Sequence, residues 1–134
     1  MGRTLPDVAA IARRLRPFFT LPGTRLVVLF GSVAGGRIHA QSDIDLGVDL
    51  DGDCDILEVQ DRIVDLLEDD RVDVVELRRA DPVLAYQIAQ GVPLFESPVG
   101  RFREFALHTW KSRLDYEPYM EIERRYVRNR VGHS

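Results

Sequence analysis

Apolar residues recur at helical spacing at Val8, Ile11, Ala12 and Leu15. Thr4-Leu5-Pro6-Asp7 in front of them reads as a capping box, so the pattern predicts a first helix from about Pro6 to Arg16. Leu21-Pro22-Gly23-Thr24 has the composition of a turn. Arg25 to Phe30, apolar without interruption from Leu26, reads as a strand buried on both faces. No stripe is sustained from Gly31 to Ser42. Strict alternation then sets Asp43, Asp45, Gly47 and Asp49 against Ile44, Leu46, Val48 and Leu50, which predicts a second strand with one acidic face.

Ile56, Val59, Ile63 and Leu67 return to helical spacing, and Arg71 to Leu77 reads as a third strand around Val72, Val74 and Val75. Asp81-Pro82 has the cap and first-turn chemistry of a short helix through Leu84 and Ile88, closed by Gly91 in the usual position past a helix end. Pro93 to Glu96 fits an edge strand. Beyond Pro98, Phe102, Phe105, Ala106 and Thr109 share one helical face with Trp110 beside it, and the aromatic stripe Phe102, Phe105, Trp110 is expected to pack into the core. Pro118 should interrupt this helix, after which Tyr119, Ile122 and Tyr126 continue the spacing toward Arg124, Arg125, Arg128 and Arg130. The order of elements predicts a small α/β or α+β sheet covered by helices, with a helical arm at the C-terminal end.

Composition narrows the possible functions. The 134 residues are 45% hydrophobic and 30% charged, as in an ordinary single globular domain. The balance of 18 basic and 22 acidic side chains gives no bulk attraction for nucleic acid, and no direct nucleic-acid binding is expected. One cysteine, Cys54, makes neither an internal disulfide nor a zinc cluster and points to the cytoplasm. The longest apolar run, Leu26 to Phe30, is far short of the ~20 residues of a membrane span. No P-loop string occurs. Asp49, Asp51, Asp53 and Asp55 alternate temptingly, but an EF-hand register puts Cys54 and Gln60 where glycine and a bidentate acid belong. They read as turn and cap residues. His39, His108 and His133 have no metal-ligand spacing.

The informative stretch is Gly31-Ser32, ten residues, then Asp43-Ile44-Asp45. Residues two apart on a strand share a face, so Asp43 and Asp45 can converge on a cation, and magnesium suits one or two carboxylates shared with phosphate oxygens. A glycine after a strand permits close backbone approach, and its neighbouring N–H groups with a serine hydroxyl bind phosphate. Phosphate on one side and metal on the other suggest a nucleoside triphosphate. Asp73, if its strand lies beside the second, is placed to take a proton from an attacking hydroxyl or to complete a second metal position.

The string Phe30-Gly31-Ser32 to Ser42-Asp43-Ile44-Asp45-Leu46, followed by Val72-Asp73-Val74-Val75, resembles the signature of polymerase-β-type nucleotidyltransferases over roughly Arg25 to Glu96. The small size is similar to the minimal nucleotidyltransferases, often the antitoxin half of modules whose toxin is a HEPN ribonuclease. The resemblance implies a catalytic core over 1–97 and a helical arm over 98–134, in the same domain or as a partner-docking extension. It implies Asp43, Asp45 and Asp73 as catalytic and metal-holding residues, with Gly31, Ser32, Ser42 and Arg37 on phosphate. Arg37 is expected to replace an arginine that many relatives carry where this chain has Gly35. The implied cofactor is Mg2+, two ions, with ATP as substrate. The implied reaction moves AMP to a tyrosine of a HEPN toxin within a hetero-oligomer. Two rival readings are a non-catalytic antitoxin acting by occlusion and an antibiotic-type nucleotidyltransferase.

Overall fold

The computed structural model describes residues 7–31 and 44–112. The chain enters through helix α1 (Val8–Arg14), capped by Asp7, whose Oδ1 accepts from the Ala10 N–H at 2.8 Å. The expected cap at Thr4 lies outside the described residues; Asp7 does the capping because it directly precedes the first helical residue. The single helix expected to Arg16 is instead two pieces. Leu15 ends α1, and Arg16–Phe19 forms a short α2 with proline in its first turn, where the missing N–H costs nothing.

Strand β1 (Thr24–Phe30) is one of the two inner strands of the four-stranded sheet, ordered β3-β2-β1-β4, that the described residues form. It runs antiparallel to β2 (Ile44–Leu50) and to β4 (Val92–Glu96). Helix α3 (Ile56–Leu67) makes the crossover that lets β3 (Val72–Glu76) pair parallel with β2. The third strand is shorter than expected because Leu77 opens a 3-10 turn, Leu77–Arg79. Helix α4 (Pro82–Ala89) follows, with Asp81 Oδ1 accepting from the Leu84 N–H at 2.8 Å. The last helix among the described residues, α5, covers residues 101–112.

The sheet buries different residues on its two faces. Val27, Leu29, Ile44, Leu46, Val48 and Val72 pack under α1, α2 and α3 around Ile11, Leu15, Phe18, Ile63 and Leu67. The other face carries Leu26, Val28 and Phe30 with Leu77 and Ile88, and Phe102 and Phe105 of α5 pack against them. Phe19 stacks on Phe95 with centroids 5.3 Å apart, tying α2 to the edge strand. Gly91 stands just past the end of α4 as expected, its N–H donating to the Ile88 carbonyl at 2.9 Å, and a Cβ there would strike the Leu29 carbonyl, so close packing against β1 also demands glycine. One expectation needs correction. Trp110 is 51% exposed and stands apart from the core that Phe102 and Phe105 join. Among the described residues no helix is long and apolar enough to cross a membrane.

Candidate active site

Asp45 lies near the start of β2, paired in register with Phe30 on one side and with Asp73 on the other. Directly paired residues of neighbouring strands point to the same face, and strands lie about 4.8 Å apart. The carboxylates of Asp45 and Asp73 therefore rise side by side from the face that carries Val28 and Phe30. Asp45 is half-buried and Asp73 exposed. This brings together two of the three expected carboxylates; Asp43, two residues before Asp45, lies outside the described residues, as do Ser32, Arg37, His39 and Ser42.

Gly31 leaves β1 with φ +80°, a left-handed conformation that favours glycine. An added Cβ would stand 3.3 Å from Asp45 Cγ and 3.6 Å from Asp45 Cβ, and nearer still to Oδ2. The backbone turn thus rests directly on the carboxylate. A phosphate held by this turn would lie beside Asp45, which is the juxtaposition a phosphoryl-transfer site needs. Among the described residues, no three acidic, histidine or cysteine side chains form a metal-holding group. The pair Asp45 and Asp73 is the described part of the expected donor set, whose hard oxygens would suit magnesium.

Farther along the same face, Gly47 separates the carboxylates from a second feature. A Cβ on Gly47 would meet Ile88 Cγ2 and Leu77 Cδ2 at 3.1 Å, so these side chains lie across β2 as a ridge. Beyond it is a cavity of about 550 Å³ between the 3-10 turn, α4 and α5, lined by Leu26, Asp49, Leu77, Arg78, Arg101 and His108 among others. Arg101 Nη2 lies 3.4 Å from Asp49 Oδ2. Asp49 is thus a strand residue with a partner on α5, not a turn residue, whereas Asp55 caps α3 as expected, accepting from the Leu57 N–H at 3.0 Å. The cavity escaped sequence reasoning because it joins residues far apart in the chain; the one local signal was the polar side of α5.

Cys54 lies close to Glu76. Burial first, then the charge and hydrogen bond of Glu76, push its thiol above the ordinary value. Glu76 is 7% exposed and is held by Arg78 Nε at 3.1 Å and Arg79 Nε at 3.2 Å.

A mixed sheet with adjacent carboxylates on two parallel strands, and a left-handed glycine turn resting on one of them, defines a nucleotidyl-transfer core. The family model described as polymerase beta, nucleotidyltransferase, matches residues 19–98. The chain belongs to the polymerase β nucleotidyltransferase family and, within it, to the minimal nucleotidyltransferases. It is 30% identical to the protein adenylyltransferase MntA of Aphanizomenon flos-aquae (strain 2012/KM1/D3) over 78% of this chain and 79% of that one. A toxin–antitoxin crystal structure with AMP-PNP is similar, with TM-score 0.63 and 30% identity over 92% of this chain and 96% of that chain. So is a Shewanella oneidensis complex of a tri-AMPylated HEPN toxin with an MNT antitoxin, at TM-score 0.57 and 28% identity over 92% and 93% of the two chains.

Proposed function

We infer that this chain is an antitoxin that transfers AMP from ATP to a tyrosine hydroxyl of a partner HEPN ribonuclease toxin, inactivating it within a hetero-oligomer. The observation that carries the reading is the in-register pair Asp45 and Asp73 beneath the left-handed turn at Gly31. The similarity to an MntA adenylyltransferase and to antitoxins in complex with HEPN toxins supports the donor and the acceptor.

Strand alternation assigns Asp43 to the face of Asp45, so three carboxylates, Asp43, Asp45 and Asp73, would hold magnesium, two ions when nucleotide is present. Bound there, magnesium would neutralise charge on the triphosphate. Gly31 and Ser32 bind phosphate oxygens through backbone N–H and hydroxyl, with Ser42 and Arg37 beside them. The acceptor oxygen bonds to the α-phosphorus as the bond to the pyrophosphate oxygen breaks. Asp73, exposed beside Asp45, receives the hydroxyl proton, and pyrophosphate leaves. Residues 1–97 form the catalytic core in this reading and 98–134 the arm, in the cytoplasm.

The test incubates the purified chain and its co-encoded HEPN protein with radiolabelled ATP and magnesium, beside an Asp43→Asn, Asp45→Asn variant. Label should appear on the partner and vanish with the variant. A stable complex that silences the toxin without any label would overturn transfer in favour of occlusion.

A further inference from the structure

Beyond the ridge of Ile88 and Leu77 lies the cavity of about 550 Å³ between the 3-10 turn, α4 and α5, a volume in the range of small-molecule sites. Its lining divides by chemistry. Leu26, Leu77, Ala85 and the ring of Phe105, drawn from four elements, give it an apolar floor. Ser112 and Thr109 add hydroxyls from α5, and His108 adds a ring that can donate or accept a hydrogen bond. Thr109 is the unusual member. It is only 5% exposed, and among the described residues no hydrogen bond reaches its hydroxyl. A buried hydroxyl left unpaired is destabilising, so a molecule in the cavity that bonds to it recovers that loss.

The charges on the lining identify the kind of molecule. Arg101 Nη2 meets Asp49 Oδ2 at 3.4 Å, and Arg78 Nε meets Glu76 Oε1 at 3.1 Å while the same guanidinium donates to the Leu50 carbonyl. Both cations are thus engaged. Glu104, exposed on α5, adds a further carboxylate to the lining. A phosphate or carboxylate would face Asp49 and Glu104 with both guanidiniums already taken, and a compact cation would lose its hydration against the apolar floor. An uncharged ligand with polar edges avoids both costs. Carboxylates accept well from sugar hydroxyls, and a flat ring packs favourably on an aromatic side chain. We propose that this cavity binds a nucleoside, its base on the apolar floor with one edge on the Thr109 hydroxyl and its sugar hydroxyls on Asp49 and Glu104. The site is separate from the carboxylate pair. Asp49 lies four residues along β2 from Asp45, about 13 Å, and the ridge stands between them.

The test titrates the full chain calorimetrically with adenosine, guanosine, cytidine and uridine, each alone and with AMP-PNP present. At least one nucleoside should bind saturably at one site per chain, with the same affinity beside AMP-PNP and in Asp45→Asn. Thr109→Val keeps the shape and removes the hydroxyl. It should weaken that nucleoside at least tenfold while the chain melts no lower than wild type, because a methyl group replaces an unpaired buried hydroxyl. Ala85→Leu narrows the cavity and should abolish nucleoside binding, with unchanged AMP-PNP affinity as the sign of an intact fold. Beside AMP-PNP, the 5′-monophosphate of the same nucleoside should bind at least tenfold more weakly than the nucleoside. Absence of saturation with all four, full affinity in Thr109→Val, displacement by AMP-PNP, or a monophosphate that binds more tightly would overturn the proposal. None of these readouts uses AMP transfer, so the outcome does not depend on which acceptor the catalytic site serves.

Discussion

Replacing Gly31 with alanine isolates the contact on which the candidate site is built. At φ +80° an L residue incurs the left-handed penalty of roughly 1–2 kcal/mol. The new methyl also has no room, because Asp45 Cγ lies 3.3 Å from its position and Oδ2 is nearer. Carbon pairs prefer about 3.5–4.0 Å, so the carboxylate or the turn must yield by several tenths of an ångström at least. Misplacement of about 1 Å costs on the order of 10²-fold in a reaction that depends on alignment. Gly31→Ala should therefore lower the rate of label transfer by roughly that factor while costing about 1–3 kcal/mol of stability in urea titration. Gly52→Ala is the matched control: its φ is +71°, yet no atom lies within 4 Å of the added Cβ, so it bears the backbone strain without touching a carboxylate. It should lose similar stability and keep its activity. Equal activity losses in the two variants, or a fully active Gly31→Ala, would refute the argument that the turn positions Asp45.

Three further perturbations have definite outcomes. Asp69 is 5% exposed and accepts from the Arg71 backbone N–H at 2.9 Å, Nε at 3.2 Å and Nη2 at 3.1 Å, so Asp69→Ala should cost about 2–4 kcal/mol in urea titration. Gly47→Val should cost about 1–3 kcal/mol by overpacking, because Ile88 and Leu77 already stand 3.1 Å from the new Cβ; a neutral result in thermal melts would show that the ridge can move aside. A raised folded-state pKa leaves less thiolate at any given pH, so iodoacetamide should alkylate Cys54 in the folded chain with a midpoint above that of the urea-unfolded chain. Glu76→Gln should bring the folded midpoint back toward it, and unchanged alkylation in that variant would deny Glu76 its part.

The regular elements were legible because their periods are clean. Alternation along β2 put Asp45, Gly47 and Asp49 on one face, and the uninterrupted apolar run of β1 announced an inner strand. The pairing of Asp45 with Asp73 was foreseen only as a condition, since register between strands joined by a twelve-residue helix is a long-range property. One residue type can serve several ends: Gly91 stands past the end of α4 as its composition suggested and also answers to the Leu29 carbonyl, while at the end of α3 a glutamate, Glu68, takes the left-handed position at φ 54°. Trp110 was expected inside because aromatics usually are; helical phase alone puts it a quarter-turn outside the stripe of Phe102, Phe105 and Ala106.

The two faces of the sheet divide the work, and the division explains what a chain of this size leaves to a partner. One face is covered by α1, α2 and α3, and its core of Ile11, Leu15, Phe18, Ile63 and Leu67 supplies stability that does not depend on the site. The other face cannot be closed in the same way, because burying Asp45 and Asp73 without a cation would force two charges into an apolar layer. α4 and α5 accordingly pack over Leu26, Val28 and Phe30 with Leu77 and Ile88, and leave Asp45 half-buried and Asp73 exposed. The carboxylate half must remain accessible to nucleotide and acceptor.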